Sequence, residues 1–302
     1  MKTAFLILAH RHPEQLQRLM RRLAHSTVSV FVHIDAKADR ARFSGVLDPD
    51  SHASFLPDAQ RVAINWCGFS MVRATLALLT AAYAAGADRF VLLSGADYPA
   101  RPLPDILSQL SVDRELIVVD QRCDPAGEGW FDRCAYRRFF GDTALLNPRS
   151  GYAPLIWLSE RIGGRLPRRR YDLPIYYGSS WWSLTRTAVS EVLNFAQARP
   201  ALVEWFKVAR SPDEMVFQTI LKQSSRATSI AGDLTYAAVL PSARVLTHFI
   251  DFEGSTSGSP ATLGHRDLDR IVASRALFAR KVDPLVSAEL LDELDRRFHR
   301  VA

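Results

Sequence analysis

TAFLILAH, residues 3–10, is an unbroken apolar run of buried-strand length that closes on a histidine. A run without polar alternation suits a strand covered on both faces, as in a parallel sheet between layers of helices. The residues that follow agree. PEQLQRLMRRLA (13–24) sets Leu16, Leu19, Met20 and Leu23 on one helical face, and VSVFVHID (28–35) is a second apolar strand that ends on an acid. RVAIN (61–65) reads as a third short strand, followed by a helix over 70–85. RFVLLSGADYP (89–99) is a fourth strand running into a turn, and ELIVVD (115–120) is a fifth after a helix over 104–110. Strands alternating with helices predict an α/β fold with a mostly parallel central sheet flanked by helices. Ligands of such sheets bind beyond the carboxyl ends of the strands, and here those ends carry His10, Asp35, Asn65, Trp66 and Asp97.

Residues 122–170 lose this regularity and turn basic and aromatic. Arg133, Arg137, Arg138, Arg165, Arg168, Arg169 and Arg170 are interleaved with Trp130, Phe131, Tyr136, Phe139 and Phe140. Such an excursion is either a binding surface or a solvated basic face. Order returns with PIYYGSSWWSL (174–184), read as a strand broken at Gly-Ser-Ser, then a helix over 185–196, a helix opening at Pro212 and the strand RVLTHFI (244–250). A Gly/Ser loop (253–260) precedes two helices, 266–273 and 284–300.

The 302 residues, 48% apolar, suffice for a large core. Their longest apolar runs fall short of the roughly 20 residues of a membrane-spanning helix, and no signal peptide is expected. Cys67, Cys123 and Cys134 have neither disulfide-framework nor zinc spacing. A reducing cytoplasm is the expected compartment, with peripheral attachment to the inner face of a membrane left open. The net charge of +6 favours an anionic partner: nucleic acid, a phosphorylated small molecule or a lipid surface. There is no Gly-x-Gly-x-x-Gly after the first strand, no Gly-Lys-Ser/Thr phosphate loop, no Gly-x-Ser-x-Gly elbow and no His-Glu-x-x-His. Nor does an Asp-x-Asp pair end a strand, because Asp48-Pro49-Asp50 lies in a polar link and Asp267-Leu268-Asp269 on an expected helix. A diphosphate leaving such a site needs cations in place of a metal, and Arg280 with Lys281 in FARKVD (278–283) offers a pair.

SPDEMVFQTIL (211–221) supports two readings of Glu214. Ser211, Pro212 and Glu214 match the S-x-x-E capping box with proline at the first helical position, and two acids suit the positive end of a helix dipole. The alternative is a general base facing a substrate.

Seven stretches, LILAH (6–10), VFVHID (30–35), INWCGFSMV (64–72), FVLLSGADYP (90–99), GSSWWSL (178–184), SPDEMVFQTIL and LFARKVD (277–283), resemble in that order the Branch family of glycosyltransferases. That family comprises the core-2/I-branching β-1,6-N-acetylglucosaminyltransferases and the peptide O-xylosyltransferases. The resemblance implies a GT-A-type fold, inverting transfer from a UDP-sugar and catalysis without a metal. It implies one domain over 1–302, with a nucleotide-binding half (1–121) and an acceptor-binding and catalytic half (122–302). Carried over by residue, it places Asp35 on the uridine, with Leu8, Asn65, Trp66 and Ser259 on the donor, and the strand-end residues His10 and Asp97 are expected on the donor with them. Arg280 and Lys281 bind the diphosphate, Ser180, Trp181 and Trp182 line the sugar and acceptor site, and Glu214 is the base. Plainer readings stand beside these: Asp35 as a turn cap, Trp182 in the core, Arg280 and Lys281 as ordinary surface cations.

The sequence departs from the family in two places. No basic residue follows Ser259 before His265, and Trp66 precedes Cys67-Gly68 where two glycines are usual. The cysteine-rich stem and anchor of the animal Golgi enzymes are not found, which points to a cytoplasmic relative whose acceptor is not a secreted protein. The expected activity is metal-independent, inverting transfer of GlcNAc or xylose from a UDP-sugar to a hydroxyl of a glycan or lipid-linked glycan, with no cofactor and no nucleic-acid partner. Two rivals remain at this point: a basic nucleic-acid-binding protein, whose affinity falls steeply with salt, and a non-catalytic module that binds UDP-sugar or glycan.

Overall fold

Strand β1 (Thr3–Ala9) is buried along its whole length and pairs in parallel with β2 (Val28–Ile34) on one side and β4 (Arg89–Ser94) on the other. Its side chains divide by parity, as a pleated strand requires. Ala4, Leu6 and Leu8 enter a cluster built with α2 (Ser70–Ala84), α5 (Arg186–Ala198), α6 (Pro200–Phe206) and α7 (Val216–Lys222). Phe5, Ile7 and Ala9 enter a second cluster under α1 (Pro13–Arg22) and α3 (Leu103–Leu110). The computed structural model describes residues 1–47, 52–123, 142–143, 153–167, 173–233, 247–252 and 259–298.

Among these residues the main sheet runs in the order β3, β2, β1, β4, β8, β6, β7, with β9 also on β6. Here β3 is Ala53–Phe55, β6 Glu115–Arg122, β7 Tyr176–Gly178, β8 Ser183–Thr185 and β9 Ile230–Asp233. β1, β2, β3, β4, β6 and β9 run in one direction and β7 and β8 run against them, which makes the α/β sheet mostly parallel. A smaller sheet joins β5 (Asp97–Pro99), β10 (His248–Ile250) and β11 (Phe278–Arg280), strands from distant parts of the chain. It packs on α8 (Leu268–Ser274) and α9 (Ala288–Phe298) through Tyr98, Ile271, Ala279, Leu290 and Leu294.

Asp295 on α9 ties this subassembly to α1. It accepts from the Tyr98 hydroxyl at 2.5 Å and from Arg18 Nη2 at 2.8 Å, and Arg22 Nη2 lies 2.8 Å away. Burial alone would raise the Asp295 carboxyl, but the bonds from Arg22, Tyr98 and Arg18 hold it below the usual carboxylate range. A depressed folded-state pKa contributes stability that is present above the unfolded value, about 4, and lost as pH falls through the folded one. Asp295→Asn is therefore expected to lower the melting temperature by several degrees near pH 7. In melts across an acid series, the gap between the two proteins should close below about pH 4.

Several expectations need correction. RVAIN is not a strand. Arg61 donates to the carbonyls of Ile34 (3.0 Å), Asp35 (2.8 Å) and Ala38 (2.7 Å), and the Val62 N–H donates to His33 Nε2 (2.8 Å). The segment thus closes the end of β2 through side chains, and β3 takes the ladder position beside β2. PIYYGSSWWSL is two strands, β7 and β8, joined by residues 179–182. The final helix begins at Ala288 rather than 284. Within the stretch read as irregular, residues 153–165 form a helix, α4 (Ala153–Arg165). The basic and aromatic residues of 124–141 and Arg168–Arg170 lie outside the described residues, and only Arg165 of the cations quoted for that stretch is described.

Candidate active site

The carboxyl ends of β1, β2 and β4 meet on one edge of the sheet. The Gly95 N–H donates to the Leu8 carbonyl (2.9 Å), joining the end of β1 to the turn that follows β4. Asp35 is buried, its N–H donates to the Ala9 carbonyl (2.8 Å), and its Oδ1 accepts from the Lys37 N–H (2.8 Å). The turn-cap role of Asp35 is therefore present, and it fixes the carboxylate at the strand edge. Lys37 Nζ lies 3.8 Å from Asp35 Oδ2 and also donates to the Ile64 carbonyl. Beside them a cavity of about 240 Å³ is lined by His10, Arg11, Lys37, Asp39 and Arg42. Partial desolvation lowers the His10 pKa, as do Arg11 and Lys281, while Asp35 pulls the other way. The balance favours the neutral imidazole.

Asn65 and Trp66 form a corner over this edge. The Asn65 N–H donates to Ser70 Oγ (2.8 Å), and its side-chain amide donates to the Asp142 carbonyl (3.0 Å). Trp66 is 48% exposed, a large ring left standing in solvent. Cys67 takes a left-handed φ of 57°, and its carbonyl accepts from the Ser211 N–H (3.1 Å). The corner is thereby fastened to the segment that carries Glu214.

Arg280 occupies the centre. Its Nη1 donates to Asp97 Oδ1 (2.6 Å) and to Ser94 Oγ (2.7 Å), and its guanidinium carbon lies 3.9 Å from the centroid of the Trp181 ring. The buried Nε of Arg280 has no hydrogen-bond partner among the described residues. Asp97 is fully buried, and its other oxygen accepts from the Ser94 N–H (2.7 Å) and lies 3.4 Å from His248 Nε2. Burial would raise the Asp97 pKa, but Arg280 first, then His248 and the Ser94 N–H, bring it down. Asp97, expected on the donor, is instead a concealed counterion for the arginine. His248 packs against Trp181 (5.6 Å) and Phe278 (5.3 Å) with tilted rings, and its Nδ1 lies 2.8 Å from Thr247 Oγ1.

The turn Pro212–Glu214 connects to the same residues. Ser180 Oγ donates to the buried Asp213 Oδ2 (2.7 Å), and burial pushes the Asp213 carboxyl up despite that bond. A continuous set of contacts thus runs from Asp213, next to Glu214, through Ser180 and its neighbour Trp181 to Arg280. Glu214 Oε2 is shielded from solvent. The expected capping box is absent. Ser211 adopts φ 53° and makes no side-chain cap, its N–H is taken by Cys67, and the α-helix proper opens only at Val216. Trp182, expected at the acceptor site, is fully buried against Phe217 (5.2 Å) in the core. Lys281 and Ser259 are linked through the segment 259–263. Leu263 N–H donates to the Lys281 carbonyl (2.8 Å) and Ala261 N–H to the Asp251 carbonyl (2.7 Å), so the segment after Ser259 runs from β10 toward Lys281.

A profile described as the core-2/I-branching enzyme matches residues 3–269. The chain belongs to the core-2/I-branching enzyme family. It is similar to Xylosyltransferase 2 of Bos taurus, 24% identical over 307 residues, which is 97% of this chain and 33% of the relative. Xylosyltransferase 2 of Homo sapiens is 24% identical over 99% of this chain and 33% of its own length. The human beta-1,3-galactosyl-O-glycosyl-glycoprotein beta-1,6-N-acetylglucosaminyltransferase is 24% identical over 96% of this chain and 68% of its own length. This core-2/I-branching chain therefore spans about a third of the length of the xylosyltransferases it matches. A solved structure described as mannose-1-phosphate geranyltransferase from Thermus thermophilus shares 16% identity at a TM-score of 0.29, over 72% of this chain and 67% of its own. That superposition is too loose to bear on fold or activity.

Three polar residues of this candidate site were not singled out from sequence: Ser94, Asp213 and His248. Asp213 was read only as a dipole partner, although its place beside Glu214 was a usable signal. His248 had none, since a histidine in a short strand becomes part of a site only when β10, β11 and β5 assemble.

Proposed function

We propose that this chain is a glycosyltransferase that moves GlcNAc or xylose from a UDP-sugar to a hydroxyl of a glycan or lipid-linked glycan. In this reading transfer is inverting, needs no divalent metal, and takes place in the cytoplasm. The observation that carries it is Arg280, placed at the sheet's ligand-binding edge by Asp97 and Trp181, with Glu214 on the far side of the same contact chain. The acceptor oxygen gives its proton to Glu214 and forms a bond to the anomeric carbon. The bond from that carbon to the diphosphate oxygen breaks, and its electron pair leaves with UDP. Arg280 and Lys281 offset the charge that develops there. A preorganised cation suits this task, because its orientation is set before the reaction starts. The acid that follows β4, Asp97, is already neutralised by Arg280. Asp35 holds the uridine, with Leu8, His10, Asn65 and Trp66 around it, and Ser259 contacts the donor.

The test is a thermal-shift and turnover screen with UDP, UDP-GlcNAc and UDP-xylose, each with and without EDTA, and products read by mass spectrometry. Saturating UDP at about 100 times its Kd should stabilise the fold by about 2.7 kcal/mol, with or without chelator. Turnover that stops in EDTA and returns with manganese or magnesium would overturn the metal-free mechanism. No response to any UDP compound would overturn the reading as a whole. In the same assay Asp35→Asn is expected to weaken UDP binding about tenfold or more by calorimetry. Asparagine can still accept from the Lys37 N–H, so the melting temperature should barely move.

A further inference from the structure

The described residues with large exposed apolar side chains come singly or as one pair, except on α4. There Leu155 (43% exposed), Trp157 (58%), Leu158 (46%) and Ile162 (46%) all face solvent. At about 100° per residue, these four share one arc of the helix with Arg161 and Arg165, both exposed, while the buried Ser159 and Gly163 take the other side. The Arg161 guanidinium lies 5.1 Å from the centroid of the Trp157 ring. Apolar anchors with arginines among them, on a helix too short to cross a bilayer, have the composition of a helix lying in the headgroup layer.

The excursion that contains this helix leaves the sheet at the site's edge. β6 runs parallel to β9 and in the direction of β1, so the chain leaves the sheet at the same edge as His10 and Asp35. The Cys123 N–H donates to the Ile175 carbonyl (2.7 Å), which ties together the two ends of the excursion that contains α4.

We propose that the outward face of α4 docks on an anionic lipid surface. A second copy of the chain fits the face less well. Two such faces would bring Arg161 and Arg165 together in a dry interface without counter-charges, which is costly. Anionic headgroups supply those counter-charges, and each arginine near such a surface strengthens attachment severalfold. The sequence continues the theme, with Arg168, Arg169 and Arg170 following the helix in a chain of net charge +6. The inference deepens the lipid-linked choice of acceptor and rests on that reading for its purpose, since a chain held on a bilayer shares that surface with a lipid-borne hydroxyl.

The experiment is co-sedimentation at about 0.15 M salt with vesicles of phosphatidylcholine alone and of phosphatidylcholine with phosphatidylglycerol, using no donor or acceptor, so its outcome is independent of turnover. The wild type should bind the anionic vesicles and largely ignore the neutral ones. One variant combines Leu155→Gln, Trp157→Gln, Leu158→Gln and Ile162→Gln; a second combines Arg161→Gln and Arg165→Gln. Each should lower partitioning on the order of tenfold or more with unchanged circular dichroism and melting temperature. If the apolar variant misfolds, the arginine variant decides. No binding of wild type to anionic vesicles, or equal binding by folded variants, overturns the proposal. So does a concentration-dependent dimer that the apolar variant abolishes, which would assign the face to a second copy.

Discussion

Glu214→Gln is expected to fold, to bind UDP as the wild type does, and to transfer sugar roughly 10² to 10⁴ times more slowly. The capping-box reading of this residue predicts little effect on either property, and the local geometry removes it. Ser211 lies in the left-handed region and offers no side-chain cap, its N–H is engaged by Cys67, and the first residue of α7 is Val216. Glutamine preserves the size of the side chain and its power to accept hydrogen bonds from neighbours, but it cannot take a proton. Rates by UDP release and affinity by calorimetry separate the two functions. The neighbouring acid supplies the control. Asp213 is buried, bonded to Ser180 and pushed toward its protonated form, so Asp213→Asn should cost less turnover than Glu214→Gln. The reverse order would make Asp213 the base. Near-normal transfer by folded Glu214→Gln would return Glu214 to a structural role.

The elements that could be read from sequence are those whose signal is local. β1, α1, β2 and β4 carry their burial pattern in consecutive residues, and the parity of β1 reappears in the two packing clusters. RVAIN carried a short apolar pattern but became a connection, because strand status depends on a partner and β3 holds that place. The break in PIYYGSSWWSL was visible as a glycine, and the reason lies across the sheet. A Cβ on Gly178 would sit 1.8 Å from the Val118 carbonyl oxygen, so no other residue can approach β6 this closely. The plainer reading of Trp182 holds, with its ring in the core while Trp181 lies beneath Arg280. The pairing of Arg280 with Asp97 was out of reach, since the two are 183 residues apart and no pattern in either segment announces the other.

Arg280→Ala is expected to lower transfer roughly 10² to 10³-fold, the loss typical of removing one donor that meets developing negative charge. It should also lower stability by about 3–5 kcal/mol, because it strands the buried Asp97 carboxylate. The two effects need separating. Asp97→Asn leaves Arg280 its charge and its stack on Trp181 while loosening the hydrogen bonds that aim it, so turnover should fall on the order of tenfold. The double variant Asp97→Asn/Arg280→Ala should be no slower than Arg280→Ala alone, since Asp97 acts through the guanidinium. It should also melt higher than Arg280→Ala, because no uncompensated charge remains in the core. Initial rates at a temperature where all three proteins are folded, together with melting curves, give both halves of the cycle. Additive rate losses would mean that Asp97 contributes on its own account. Unchanged turnover in folded Arg280→Ala would leave the arginine as a counterion only, and Lys281→Ala would then be the variant in which the loss of diphosphate stabilisation must appear.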